Sequence, residues 1–346
     1  MEERPIEGPG APHPALAAPD LSPEARRLHA LRWQQGLEKV VEGEVEAHYH
    51  PITRARQVLG RTLAGVWNDG FIHAGNLAYM AVVALFPFFI VATAIFSAIG
   101  ERGQREAALN AVLLAVPHSV ATAIAPVAHD VIEARTGKLL WIGGLVGLWT
   151  VGSLVETIRE VLRRAYGTRA THAFWRYRLS STALIFAAMV LLLLSLLAQV
   201  AIGAVEQALH AWVPRLDPDF GDVVMTRLIP AGVLFGSLYL LFYSLTPGRY
   251  RSRAYPKWPG ALFVTAWWVL VTLALPWVLR GLFNYDLTYG SLAGIMITLF
   301  FFWLVCLGMV FGAELNAALA ETPEERVMVD QADSRHRPAR QEDGGD

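Results

Sequence analysis

The chain is 346 residues long, 54% hydrophobic and only 17% charged, with a mean hydropathy of +0.38. A soluble domain carries about 25% charge, so this composition excludes an ordinary water-soluble globular protein, and a formal net charge of −1 gives no overall attraction to nucleic acid. The single cysteine, Cys306, excludes an intramolecular disulfide and any cysteine-based metal site.

In chain order, residues 1–21 read as a disordered N-terminal tail, with too little apolar content to offset the entropy of ordering. They offer no apolar core for a cleavable signal. The first long apolar run, from Leu77, is expected to serve as an uncleaved insertion signal. Residues 22–72 are expected to form cytoplasmic or interfacial amphipathic helices. Ser22-Pro23-Glu24 has the form of a helix cap followed by proline at the first helical position. Leu28, Leu31, Val41 and Val45 follow at roughly helical spacing. A second helix, from about Ala55 to Phe71, carries an apolar stripe of Val58/Leu59, Thr62/Leu63, Val66/Trp67 and Gly70/Phe71, flanked by Arg54, Arg56 and Arg61. Such a helix either lies in a membrane interface or packs on the ends of a bundle, and the sequence leaves both open.

Residues 73–321 are expected to form a transmembrane domain. The runs Leu77–Ile99, Leu139–Val155, Leu179–Val205, Leu228–Leu245, Gly260–Leu279 and Gly290–Ala313 contain no Asp, Glu, Lys or Arg. A hydrocarbon core of roughly 30 Å takes ~20 helical residues, and a central charge costs ~2.5–3.5 kcal/mol. The expected fold is therefore all-α: a polytopic integral membrane protein with a six-helix transmembrane bundle. Between the first two runs, Ala107–Val116 and Val120–Ile132 flank Pro117 and are expected as a helical hairpin at the outer surface. Residues 322–346 are charged, carry no periodicity and read as a disordered C-terminal tail.

Orientation follows from the arginines. Arg159, Arg163, Arg164, Arg169, Arg176 and Arg178 follow the second run, and Arg249, Arg251, Arg253 and Lys257 follow the fourth. The connection after the third run has only Arg215 and Arg227, and that after the fifth only Arg280. The positive-inside rule then places the two basic connections, and with them both termini, in the cytoplasm. Orientation accounts for the Arg159–Arg178 cluster, and no nucleic-acid partner is implied.

Within the runs, Gly143/Gly147, Gly232/Gly236, Gly290/Gly294 and Gly308/Gly312 are small-xxx-small pairs that let helix backbones approach closely. They serve either packing within the protomer or a homo-oligomer. Pro87, Pro230 and Pro276 interrupt runs and remove intrahelical hydrogen bonds. At Pro87 the freed Val83 carbonyl needs another partner or a wet cavity, which makes this region a candidate substrate path. Gln199 is the most polar side chain well inside a run, while Asn76, Glu156, Glu206 and Glu314 lie near run ends. The scarcity of intramembrane carboxylates argues against strong ion coupling. No phosphate-binding G-x-x-x-x-G-K-[ST] loop, His-Glu-x-x-His or Gly-x-Ser-x-Gly is present, and His48-Tyr49-His50 has no nearby third ligand. No cofactor, metal site or enzymatic activity is expected. Glu314 stands at the negative end of the sixth helix, an unfavourable place for a carboxylate. It is expected to pair with Arg159, Arg163 or Arg249 as a lock or gate, with Asn316 capping nearby backbone.

Three segments resemble the YihY/BrkB family of bacterial inner-membrane proteins. They are His73-Ala74-Gly75-Asn76-Leu77-Ala78-Tyr79 running to Leu85-Phe86-Pro87, Leu148-Trp149-Thr150 through Ala165-Tyr166-Gly167, and Tyr289-Gly290-Ser291-Leu292-Ala293-Gly294 leading to Gly312-Ala313-Glu314-Leu315-Asn316-Ala317. Asn76 and Met80 depart from the small and aromatic residues many members carry there. Members are called serum-resistance or virulence factors, and some are labelled ribonuclease BN. A zinc phosphodiesterase needs a His-x-His-x-Asp-His cluster, and the sequence has none. The resemblance implies a multi-pass inner-membrane protein surrounded by lipid, with an envelope-related role. That role is either transporter-like, moving or exporting a lipid, amphiphile or small solute, or non-transporting, as an envelope or scaffold protein. Tyr79, Pro87, Gln199, Tyr289, Gly290, Ser291 and Gly294 are the candidate substrate path.

Overall fold

The computed structural model describes residues 21–35, 51–99, 113, 116–133, 138–169, 179, 183, 229–282 and 292–336, and among these there is no β-strand. The helices are α1 (Pro23–Gln34), α2 (Pro51–Gly65), α3 (Phe71–Ile99), α4 (His118–Glu133), α5 (Lys138–Ala165), α6 (Ile229–Leu245), α7 (Trp258–Leu282), α8 (Ala293–Leu319) and α9 (Pro323–His336). Helices occupy five of the six charge-free runs. The third, Leu179–Val205, lies almost wholly outside the described residues, as do the tail 1–20 and most of Ala107–Val116. Trp258–Leu279 and Ala293–Leu319 are long and apolar enough to cross a membrane.

α8 is the centre of the molecule and packs against α2, α3, α4, α5 and α7. Its contact with α7 is close because glycine allows it. A Cβ at Gly308 would fall 2.7 Å from Trp267 Cγ, and one at Gly312 would fall 2.5 Å from Val264 Cγ2. The Trp267 indole N–H donates to the Leu304 carbonyl at 2.8 Å. Gly308/Gly312 therefore pack within the protomer, whereas a Cβ at Gly232 or Gly236 on α6 would meet no described atom within 4 Å beyond its own stretch of helix.

The expected boundary between interfacial helix and first span does not exist as a break. α2 runs into α3 through a π-helical turn, Val66–Gly70. In such a turn the i→i+5 bonding widens the helix and brings Gly65 and Gly70 towards one face, where both meet α8: a Cβ at Gly70 would lie 3.2 Å from Val310. The opposite face leaves Leu59, Leu63, Trp67 and Phe71 exposed at four-residue intervals.

α4 falls within the expected hairpin, whose first arm lies mostly outside the described residues. Val120 is completely buried among Val271, Leu275, Phe301 and Val305, and Gly294 would place a Cβ 3.0 Å from Ala123. The apolar face of this helix is inserted against α7 and α8, because four large apolar side chains there need a cover.

The largest correction is at the C-terminus. Residues 323–336, expected as disordered tail, form α9. Thr322 and Glu325 make a reciprocal capping box: the Glu325 N–H donates to Thr322 Oγ1 at 3.3 Å and the Thr322 N–H to Glu325 Oε2 at 3.4 Å. Pro323 then fits the first helical position. α1 begins the same way, with Ser22 Oγ accepting from the Ala25 N–H at 3.3 Å. The two terminal helices pack on each other through Ala30, Met328 and Val329. Arg26 sits between them, 2.6 Å from Glu325, and donates to the Ala317 and Ala320 carbonyls at 3.2 and 2.8 Å. Arg27 bridges Glu24 and Glu324 at 2.8 and 2.9 Å. Leu28 on α1 is exposed.

Candidate functional site

Where α1, α2, α5 and α8 converge at the end of the bundle that carries the terminal helices, they enclose a cavity of about 400 Å³. Each wall has a sequence reason. The π-helical turn supplies Gly65, Asn68 and Gly70, then His73 one turn later. α5 ends in the basic pair Arg163 and Arg164, placed where cations favour the negative end of a helix. Gly167 stops it with φ +67, and Thr168 N–H closes the turn on the Arg163 carbonyl at 2.9 Å. A Cβ at Gly167 would lie 2.8 Å from Ser22 Cβ, so this glycine also lets the start of α1 close one side of the cavity. α8 contributes Val310 and Glu314.

The Glu314 side chain lies flat against the π-helical segment. A Cβ at Gly65 would fall 2.5 Å from Glu314 Cδ and 3.0 Å from Oε1, so glycine at 65 is what admits the carboxylate. Arg163 and Arg164 reach the same half-exposed carboxylate, Glu160, at 2.9 and 3.3 Å. Arg61 lies 3.9 Å from Glu325, which Arg26 already holds at 2.6 Å. Behind the wall, Tyr166 is fully buried and packs on Tyr250, ring centres 5.1 Å apart. Burial, helped by the nearby Glu314 charge, pushes its hydroxyl well above the ordinary phenol range. Tyr250 is shifted the same way by burial and by donating to Glu24 at 2.7 Å.

Of the residues singled out in the sequence, the structure brings Glu314 and Arg163 to one cavity. Arg159 is buried on α5 and donates to Glu156 one turn back. Arg249 is exposed in the connection between α6 and α7, near Glu324. Asn316 accepts from the Gly260 N–H at 2.8 Å and donates to the Lys257 carbonyl at 3.1 Å, tying α8 to the start of α7. Lys257 donates to the Ser252 and Tyr255 carbonyls at 2.5 and 2.8 Å, and burial with Arg251 nearby brings it down to about 8. Tyr79 is exposed on α3 and stands apart from the cavity wall, Gly294 packs on α4, and Pro87 lies within the continuous helix α3. Gln199, Tyr289, Gly290 and Ser291 lie outside the described residues. Sequence reasoning missed Arg61, Gly65, Asn68, His73 and Arg164 as a group. The available signal was Arg61, Gly65 and Asn68 at helical spacing opposite the Leu59–Leu63–Trp67 stripe.

Among the described residues no three His, Cys, Asp or Glu side chains are grouped as a metal site. Known proteins similar to this chain include the ribonuclease-like protein YfkH of Bacillus subtilis, 27% identical over 263 residues, covering 73% of this chain and 90% of that protein. A UPF0761 membrane protein of Pseudoalteromonas translucida is 25% identical over 264 residues, covering 73% and 84%. A third, the UPF0761 membrane protein of Alteromonas mediterranea, is 24% identical over 262 residues, covering 74% and 84%. No solved structure matches the chain. The family model described as virulence factor BrkB matches residues 65–336, from the last residue of α2 to the end of α9, and the chain belongs to that family of membrane proteins.

Proposed function

We propose that this is a six-span inner-membrane protein with both termini in the cytoplasm, and that it moves a lipid, amphiphile or small solute. The observation that carries the reading is the cavity of about 400 Å³, lined by Arg61, Arg163, Glu314 and His73, at the ends of apolar helices. Charged side chains around an open volume in a membrane bundle are expensive to maintain and belong to a binding site or pathway. In the orientation favoured by the arginine-rich connections, the cavity opens toward the cytoplasm. The exposed Leu59–Leu63–Trp67–Phe71 stripe of α2 and its continuation then meets the inner leaflet, with Trp67 at the interface. The reading assigns no catalytic step to the cavity, and the ribonuclease-like name of the Bacillus relative is not carried over.

The orientation is tested with single cysteines in a Cys306→Ala background. Ser252→Cys in intact spheroplasts is expected to resist an impermeant thiol reagent and His118→Cys to react. The opposite pattern inverts the topology. Transport is tested in proteoliposomes loaded with a panel of fluorescent lipids and solutes. Flux above protein-free liposomes is expected, and alkylating Thr168→Cys on the cavity wall with a bulky maleimide should return it to background. Absence of flux across the panel would favour the non-transporting envelope or scaffold role, and flux indifferent to the plug would remove this cavity as the path.

A further inference from the structure

We infer that the cavity is a binding site for a phosphate-bearing group, either the head of an anionic lipid or a free phosphate. This deepens the transport reading by naming the chemistry its cavity recognises. Among the described residues, three guanidinium groups, from Arg61, Arg163 and Arg164, stand on its wall with one carboxylate, Glu314. Glu160 is shared by Arg163 and Arg164, and Glu325 is shared by Arg26 and Arg61. These two carboxylates are not part of the cavity lining, so within it the described arginines outnumber the described carboxylate, with His73 beside them. Guanidinium groups present planar forks of N–H donors that match phosphate oxygens, and they hold them more strongly than neutral donors do.

Size and lining narrow the ligand. A volume of about 400 Å³ is at the small end of ligand cavities. It takes a phosphate with a glycerol-sized substituent and leaves no room for acyl chains. Val161, Val310 and Ala317 line part of the wall, which suits the carbon skeleton of a phosphate ester. The uncharged donors Asn68, Ser22 and Thr168 complete the polar part. A phosphate that enters among these arginines accepts from their N–H groups, whereas a cationic group is repelled by them.

The test uses full-length protein in nanodiscs. Binding of inorganic phosphate is measured by calorimetry in phosphatidylcholine nanodiscs. Lipid binding is measured by native mass spectrometry after titrating phosphatidylglycerol against phosphatidylcholine. Saturable binding of phosphate alone identifies a free phosphate or phosphorylated solute. Selective retention of phosphatidylglycerol alone identifies a lipid head, and both together mean the site reads only the phosphate. Arg61→Gln and Arg163→Gln are each expected to weaken the bound probe about tenfold, the usual weight of one charge-assisted contact. Arg163→Lys should weaken it less, and Arg56→Gln, on an exposed residue away from the wall, should leave it unchanged. Glu314→Gln is expected to tighten binding, a direction no folding defect imitates. Absence of saturable binding by either probe, or binding indifferent to Arg61, Arg163 and Glu314, overturns the proposal. Flux that persists in Arg61→Gln and Arg163→Gln would leave transport standing without this chemistry. Binding without flux would leave the site standing without transport.

Discussion

Arg26→Ala is expected to destabilise the protein by about 3–5 kcal/mol, the range for removing one partner of a buried ion pair, and to release both terminal helices. The side chains of Arg26 and Glu325 are 7% and 10% exposed, so water does little to screen the pair or replace it. The loss also reaches α8, because the same guanidinium binds the Ala317 and Ala320 carbonyls at the C-terminal end of that helix. Carbonyls at a helix end lack the usual i+4 donor, the Ala317 one keeping the Ala320 N–H at 3.1 Å, and a cation there also complements the helix dipole. Glu325 would meanwhile be left buried with Arg61 at 3.9 Å as its remaining described cation. The measurement is chemical or thermal unfolding in detergent beside limited proteolysis of α1 and α9. Arg26→Met with Glu325→Met should recover much of the loss, since removing both charges leaves no orphan. An Arg26→Ala protein that unfolds with wild type and keeps α9 protected would show that the pair is not what holds the termini. The ends of Arg27→Ala should loosen far less, because its partners Glu24 and Glu324 are partly exposed and such pairs contribute little.

The clamp shows where sequence reasoning reached and where it stopped. Charge-free runs located α3, α5, α6, α7 and α8 because lipid solubility is a property of composition, visible one segment at a time. Ser22-Pro23-Glu24 was legible for the same reason: a cap is local. Thr322-Pro323-Glu324-Glu325 carries the same signature and was passed over because no apolar period follows it. α9 instead gets its burial from α1, across a separation of 299 residues between Arg26 and Glu325. No local pattern carries such a pairing. The cavity was half legible. Glu314 stood out as a carboxylate at a helix end, and Arg163 was among its proposed partners. Yet Arg163 and Arg164 also belong to the run that sets orientation, and the same charge answers both purposes. Arg61 was read as the flank of an apolar stripe and Asn68 was passed over, because the π-helical turn that swings Gly65 and Gly70 toward α8 leaves no mark in the hydrophobic period. The substrate path drawn through Tyr79 and Pro87 followed the proline, whereas α3 continues through Pro87 and the open volume lies nearer Gly65.

Gly260→Ala is the second change expected to have a large effect, and it acts at the other attachment of α8. Gly260 is in the first turn of α7, where an N–H has no intrahelical acceptor. Asn316 supplies one at 2.8 Å and spends its amide N–H on the Lys257 carbonyl at 3.1 Å. The approach that permits this is closed to any side chain: a Cβ at 260 would lie 2.6 Å from Asn316 Cγ and also inside contact distance of the Gly312 carbonyl. Helix backbones cannot yield as a flexible side chain does, so α7 must move away from α8, at about 1–3 kcal/mol for an overpacked interior. The displacement also breaks both Asn316 hydrogen bonds. Interhelical hydrogen bonds in membrane proteins contribute about 0.6 kcal/mol on average and at most about 1.7, so the steric part outweighs the polar part. Asn316→Leu, which removes the hydrogen bonds but keeps the approximate shape, should therefore cost less than Gly260→Ala in the same unfolding assay. The two are expected to be strongly non-additive, because residues in contact share the same loss. In an Asn316→Gly background the added methyl still meets the Gly312 carbonyl but no longer meets residue 316, so the penalty of Gly260→Ala should shrink without vanishing. If Asn316→Leu proves the more damaging change, the hydrogen-bonded bracket, and not the close approach of backbones, is what fastens α7 to α8.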